Sequence, residues 1–189
     1  EMLRSLVGSE MCIRDRIKAA DGYFYVYATE STRNVPIMKS KDLVEWTYCN
    51  TAFTNKTRPR FEPKAGIWAP DINYINGKYV LYYAMSVWGG EQTCGIGVAT
   101  ANSPQGPFTD HGKMFRSNEI GVQNSIDPSL LQYEGRNYLV WGSFRGIYVI
   151  ELTTDGLSIM PGAKKKRIAG TAFEAVYIHK HDDYYYMFA

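Results

Sequence analysis

Short apolar runs in which aromatic and β-branched residues alternate, each entered from a polar turn, recur in four places along the chain. Asp21–Glu30 reads DGYFYVYATE, Asn76–Ser86 reads NGKYVLYYAMS, Glu134–Ser143 reads EGRNYLVWGS and His181–Ala189 reads HDDYYYMFA. Each opens on a turn, Asn-Gly or Asp-Gly in the clearest cases, and runs into aromatic and β-branched side chains. Such pairs accept the left-handed backbone of a tight hairpin, and bulky alternating side chains suit a pleated strand. The repeats are spaced by about 50 to 60 residues, the range in which self-similar units build blades or solenoid coils. Between them CGIGVATA and IYVIEL read as further short strands, SPQGPF and TTDG read as turns, and no helical period of 3.6 persists. Several strands per unit at this spacing predict an all-β chain arranged as a β-propeller of about three and a half blades, with a β-sandwich as the competing architecture. A partial propeller leaves sheet edges and faces uncovered, so marginal stability is expected.

The first sixteen residues, EMLRSLVGSEMCIRDR, break this pattern. They show neither alternation nor an apolar run long enough for a signal peptide. Leu6 to Asp15 resembles the one-frame translation of a sequencing adapter, and HDDYYYMFA stops within an expected strand. Residues 1–16 are therefore set apart as a non-native segment, and 17–189 is read as the partial catalytic domain of a longer protein.

Composition narrows the function classes. The net charge is +2 with scattered Lys and Arg, which argues against a nucleic-acid groove or an anionic membrane partner. The run Lys164 to Arg167 follows a turn-like Met-Pro-Gly and reads as a solvated loop. No stretch approaches the roughly 18 apolar residues of a membrane span. Cys12, Cys49 and Cys94 lack C-x-x-C spacing, and His111, His179 and His181 lack metal-ligand spacing, so no metal site is expected from them. The 15 tyrosines and 4 tryptophans point elsewhere: aromatic faces cover the apolar faces of sugar rings.

Three acids hold equivalent places ahead of the turns. Asp71 lies in IWAPDINYI, Asp127 in SIDPSLLQY and Glu174 in AFEAVYIHK. If each begins the innermost strand of a blade, the three carboxyls converge at one end of the channel. Like charges brought together raise one another's pKa, so one carboxyl keeps its proton while another stays ionised. Glycoside hydrolysis requires that division of roles.

WAPDI, NSIDPSLL, GSFRGIYVIEL and FEA followed by YYYMFA together resemble glycoside hydrolase family 43, and its arabinanases most. The resemblance runs from about Ile17 to the end. It implies a five-bladed β-propeller that cleaves arabinan or xylan with inversion, using an Asp base, a Glu acid and a second Asp that adjusts the acid's pKa. Asp127 matches the pKa-adjusting Asp and Glu174 the acid. The base should stand in an Asp-Pro pair shortly before Asp21-Gly22. Asp15 is the only carboxylate there, lacks the proline and lies in the adapter-like segment, so the base role is not assigned to it and the catalytic pair is expected to be incomplete.

The expected function is cleavage of α-1,5-linked L-arabinan. An exo-acting arabinofuranosidase or β-xylosidase, and a non-catalytic carbohydrate-binding propeller, are the alternatives. The substrate partner is then an arabinan polysaccharide or oligosaccharide, met outside the cytoplasm or in a periplasm. No cofactor is required for the chemistry, and the resemblance implies a structural calcium held through a histidine of a later blade. Trp68 is expected either to stack on a sugar or to plug a blade core. Asp71 is a binding candidate or a hydrogen-bonded strand-start acid. Asn124 and Ser143 are candidates for sugar hydroxyls or for turn and cap roles. Phe144 and Arg145 are expected near the cleft, with Arg145 alternatively paired to an acid, and Trp88 on a loop at the rim.

Overall fold

The computed structural model describes residues 13–30 and 33–189. The described residues are all-β apart from one turn of helix α1 (Ser117–Ile120), which ends at Gly121 in the left-handed region at φ 67°. Strands β1 (Ile13–Lys18), β2 (Phe24–Ala28), β3 (Pro36–Ser40) and β4 (Thr47–Thr51) form the first antiparallel sheet in sequence order. Strands β5 (Gly66–Ile75), β6 (Lys78–Ser86), β7 (Gly95–Ala101) and β8 (Thr109–Arg116) form the second. The third holds β9 (Ser129–Tyr133), β10 (Arg136–Trp141), β11 (Ile147–Glu151) and β12 (Lys166–Ala169). A hairpin of β13 (Tyr177–His181) and β14 (Tyr184–Phe188) follows. The four alternating segments supply β2, β6, β10 and β14, the second strand of each unit.

The turns ahead of these strands form for the reason the sequence gives. Asn76 and Gly77 both have positive φ, 49° and 81°, as do Glu134 and Gly135 at 48° and 71°. Two successive left-handed residues match the twist of the flanking strands and fix hairpin register. Ile75 accordingly pairs with Lys78, and Tyr133 with Arg136.

β1 takes in residues 13–16 of the segment set apart above, and Asp15 through Lys18 pair in register with Tyr27 back to Phe24. Residues 1–12, including Cys12, lie outside the described residues. The run Lys164 to Arg167 departs from its loop reading in one respect. Lys166 and Arg167 are exposed but begin β12, where they pair with Val149 and Tyr148. β12 is the outer strand of its sheet, and lysines there discourage edge-to-edge association.

Successive sheets pack face to face. From β6, Leu81, Tyr83 and Met85 meet Tyr25, Tyr27 and Ile37 of the first sheet, with Phe53 and Phe108 between. The alternate residues Val80 and Tyr82 meet Leu139, Trp141 and Ile150 of the third. Both faces of β6 and β7 are thus buried, which explains why these two strands read as near-continuous apolar runs. Burying side chains of this size stabilises the fold by about 1.5–3 kcal/mol each. The third sheet passes Val140 and Ile147 to Val176 and Ile178 beside the final hairpin. β1, β5, β9 and β13, the first strands of the four units, are neighbours in that order. That order carries each unit's leading residues to one region.

Candidate active site

The leading acids are tied across units by one recurring bond. Asp15 Oδ2 accepts the amide N–H of Ile72, at 2.7 Å, from the residue after Asp71. Asp71 Oδ2 accepts the N–H of Leu130 at 2.9 Å, three residues past Asp127. Asp127 Oδ2 accepts the N–H of Ala175 at 3.1 Å, next to Glu174. Each carboxylate therefore reaches the backbone beside the next unit's acid. A hydrogen bond of this kind contributes about 0.5–1.5 kcal/mol, and more where the acceptor is ionised, so this chain of bonds both joins the sheets and brings the acids together.

Local backbone irregularity aims them. The β5–β6 register shifts between Trp68 and Asp71, leaving Ala69 and Pro70 as a bulge, with Ala69 at φ 46°. Asp127 at φ 59° precedes Pro128, and Ala175 at φ 60° follows Glu174. A left-handed backbone costs a residue with a Cβ roughly 1–2 kcal/mol. Such positions persist where the surroundings over-determine them, and they cluster at functional sites.

Asp15 is half-buried and stands beside Asp71. Burial, and after it the Asp71 carboxylate, pushes the Asp15 carboxyl up to about 8, while the amides of Ile72 and Arg16 pull it down. The two side chains also share a hydrogen bond, which needs a proton between them. Asp71 itself is buried, and its Oδ2 takes a further bond from Asn73 Nδ2 at 2.6 Å. Its place is that of the hydrogen-bonded strand-start acid.

Around Asp127 and Glu174 the expected binding groups gather. Glu174 is exposed, and its Oε2 accepts from Ser143 Oγ at 3.3 Å, with Ser143 buried. Asn124 Nδ2 donates to the Ser143 carbonyl at 2.9 Å, fixing one loop against the other. Phe144, half-exposed at φ 51°, donates its N–H to the Phe173 carbonyl at 2.9 Å. Arg145 grips Glu91 with a two-pronged bond, Nε to Oε2 at 3.0 Å and Nη2 to Oε1 at 2.9 Å. That pairing is the acid-bound alternative for Arg145, and Glu91 is a partner the sequence did not single out.

Trp68 lies between core and surface. It packs against Ala84, Cys94 and Ile126, while its ring meets that of Trp88 at 5.5 Å between centroids. Trp88 is 94% exposed, on the loop between β6 and β7. Among the described residues no three His, Cys, Asp or Glu side chains gather to hold a cation.

Sequence reasoning left Asp15 without a role, because the missing proline and the adapter-like neighbourhood outweighed its place ahead of Asp21-Gly22. The repeat position was the available signal: Asp15 stands to Ile72 as Asp127 stands to Ala175.

Residues 14–189 match the profile of glycosyl hydrolases family 43. The chain belongs to that family. An arabinan endo-1,5-alpha-L-arabinosidase A of Aspergillus niger is 30% identical over 179 residues, 90% of this chain and 54% of that protein. An extracellular endo-alpha-(1->5)-L-arabinanase of Bacillus subtilis is 35% identical over 167 residues, 82% of this chain and 51% of that protein. This family 43 chain thus spans about half the length of the curated relatives it matches. Among solved structures, the Bacillus subtilis arabinanase superposes with a TM-score of 0.80 at 31% identity, covering 95% of this chain and 65% of that one. A Cellvibrio cellulosa arabinanase complexed with arabinohexaose gives 0.78 at 25% identity, over 94% and 64%. An exo-1,5-alpha-L-arabinanase from a bovine ruminal metagenomic library gives 0.76 at 32%, over 93% and 63%.

Proposed function

We propose that this chain is part of an inverting arabinan hydrolase that cuts α-1,5 linkages within the polymer. The reading rests above all on the Asp127 carboxylate bonding the amide next to Glu174, two acids far apart in sequence held at one place. The endo-arabinanase relatives supply the substrate class. The architecture proposed is a five-bladed propeller of which the three sheets and the hairpin are part; the neighbouring first strands and the sheet-on-sheet packing support it.

In this reading Glu174 gives its proton to the glycosidic oxygen as the C1–O bond breaks. Asp127 stands beside it, its Oδ2 taking the N–H of Ala175, and is given the role of helping to orient the acid. Ser143 Oγ donates to Glu174 Oε2, which orients the carboxyl and leaves Oε1 for the proton. Asp15 occupies the remaining acid position and removes a proton from the water that attacks the opposite face of the sugar. Inverting enzymes hold acid and base about 6.5–9.5 Å apart to admit that water. With its carboxyl pushed up to about 8, Asp15 is mostly protonated at neutral pH and becomes a competent base only as the pH rises. Trp68 and Trp88 offer ring faces to the arabinan chain. The site of action proposed is outside the cytoplasm, because a polymeric plant polysaccharide does not enter cells.

The test compares reducing-sugar release from linear arabinan with nitrophenol release from nitrophenyl arabinofuranoside, each followed from acid through alkaline pH. The expected result is release from arabinan as a ladder of oligomers, with little from the aryl glycoside. Release of arabinose alone from chain ends would replace endo by exo action. No release from either would remove the hydrolase reading.

A further inference from the structure

A second recess, apart from the acids, lies where the 54–66 loop meets the start of β5. Its volume is about 610 Å³, within the range of roughly 300–1,000 Å³ typical of ligand pockets and far larger than an inorganic anion requires. Four cations and two carboxylates line it. Both carboxylates are committed elsewhere. Glu30 takes two bonds from the Arg58 guanidinium, at 2.5 and 3.0 Å, and one from the Ile67 amide at 2.7 Å. Burial alone would raise the Glu30 carboxyl, but these partners bring it below the usual range and keep it ionised. Glu62 is paired with Arg116 and accepts from Thr93 Oγ1 at 3.2 Å.

Once those pairs are made, the charge left facing the recess is positive. Arg33, Arg60 and Lys64 are exposed, and none has a carboxylate partner among the described residues. Arg60 Nη2 donates to the Asn55 carbonyl at 2.8 Å, which anchors one corner of its fork and leaves the others toward solvent. Exposed Pro63 supplies an apolar wall, which the Gly66 backbone completes. A Cβ on Gly66 would stand 2.7 Å from Trp68 Nε1, so this wall abuts the aromatic pair of the candidate active site.

We infer that this recess binds a carboxylated sugar, a uronate unit, with its ring against the apolar wall and its carboxylate on Arg60 and Lys64. A guanidinium fork matches a planar carboxylate with two parallel bonds, and an apolar wall beside cations suits a ring that carries an acid. The choice of a sugar rather than another carboxylate rests on the hydrolase reading above. The site would let the protein hold an acidic polysaccharide segment while a neutral chain occupies the aromatic pair.

Calorimetric titration with oligogalacturonate, using the whole chain and an R60E/K64E variant, tests this. Both residues are exposed and lie outside the catalytic machinery. The wild type is expected to bind, more weakly at high salt, with the double variant losing at least about tenfold in affinity, while arabino-oligosaccharide binding is the same for both. Absence of oligogalacturonate binding, or equal binding by the variant, overturns the proposal. Displacement of the sugar by an equimolar amount of inorganic phosphate also overturns it, since the recess would then hold anions without reading the ring. Failure of the hydrolase reading shows separately, as no sugar release from arabinan; oligogalacturonate binding lost on R60E/K64E would still support the uronate site.

Discussion

Replacing Glu174 by Gln is expected to lower turnover of linear arabinan by about 10²–10⁴-fold, the usual contribution of a positioned general acid. Gln keeps the volume and an oxygen that still accepts from Ser143 Oγ, but it has no proton to give to the leaving oxygen. Glu174 is exposed and its carboxylate holds no backbone amide among the described bonds, so the melting temperature should move by no more than an ordinary surface change, within about 0.5 kcal/mol. Binding of arabino-oligosaccharide should persist. Steady-state kinetics with a thermal melt separates the cases. A turnover within tenfold of wild type removes Glu174 from the acid role, and a collapse in stability would mean that the residue serves the fold.

A second large effect is expected at Asp15. With its carboxyl raised to about 8 by burial and then by Asp71, Asp15 is bare, and so a base, only above that pH. The ratio of wild-type to Asp15→Asn activity should therefore be small at pH 6 and widen as the pH climbs through 8, reaching about 10²–10⁴ on the alkaline side. Taking the ratio cancels every other titration that the two proteins share. Stability should move the opposite way. In the unfolded chain Asp15 ionises near 3.8, the starting value from which folding raises it. Between about pH 4 and 8 the folded protein therefore holds a proton that the unfolded one has released. Stability from this group is complete below pH 4 and is lost as the pH rises through 8. Thermal melts across this range should show the wild type weakening relative to Asp15→Asn. A constant activity ratio from pH 6 to 9 would exclude Asp15 as the base, and parallel melting curves would exclude the raised carboxyl.

The strands were legible because their causes are local. Asn76-Gly77 and Glu134-Gly135 specify the hairpins by backbone freedom, and the aromatic alternation after them specifies pleated strands. The continuous apolar run of β6 is less local. It does not alternate because Leu81 and Val80 each face a different neighbouring sheet, which only assembly decides. The acids divide in the same way. Asp127 and Glu174 were visible from motif and repeat position, and the bond from the Ala175 amide supplies the physical reason for their spacing. Asp15 was visible as the acid ahead of Asp21-Gly22, but its contacts with Asp71 and with Ile72, 57 residues along the chain, were not. Nor was the pairing of Arg145 with Glu91, 54 residues away, where the sequence offered several acids and no means to choose.

In the proposed mechanism, acids from separate sheets serve one sugar linkage. A crystal structure of the Glu174→Gln variant soaked with arabinohexaose tests it most directly. One glycosidic oxygen should lie within hydrogen-bond reach of residue 174, a water against the opposite ring face, and the carboxyl of Asp15 on that water, about 6.5–9.5 Å from the side chain at 174. An oligosaccharide bound with no linkage near residue 174, or with Asp15 on the same face as the leaving oxygen, would contradict it.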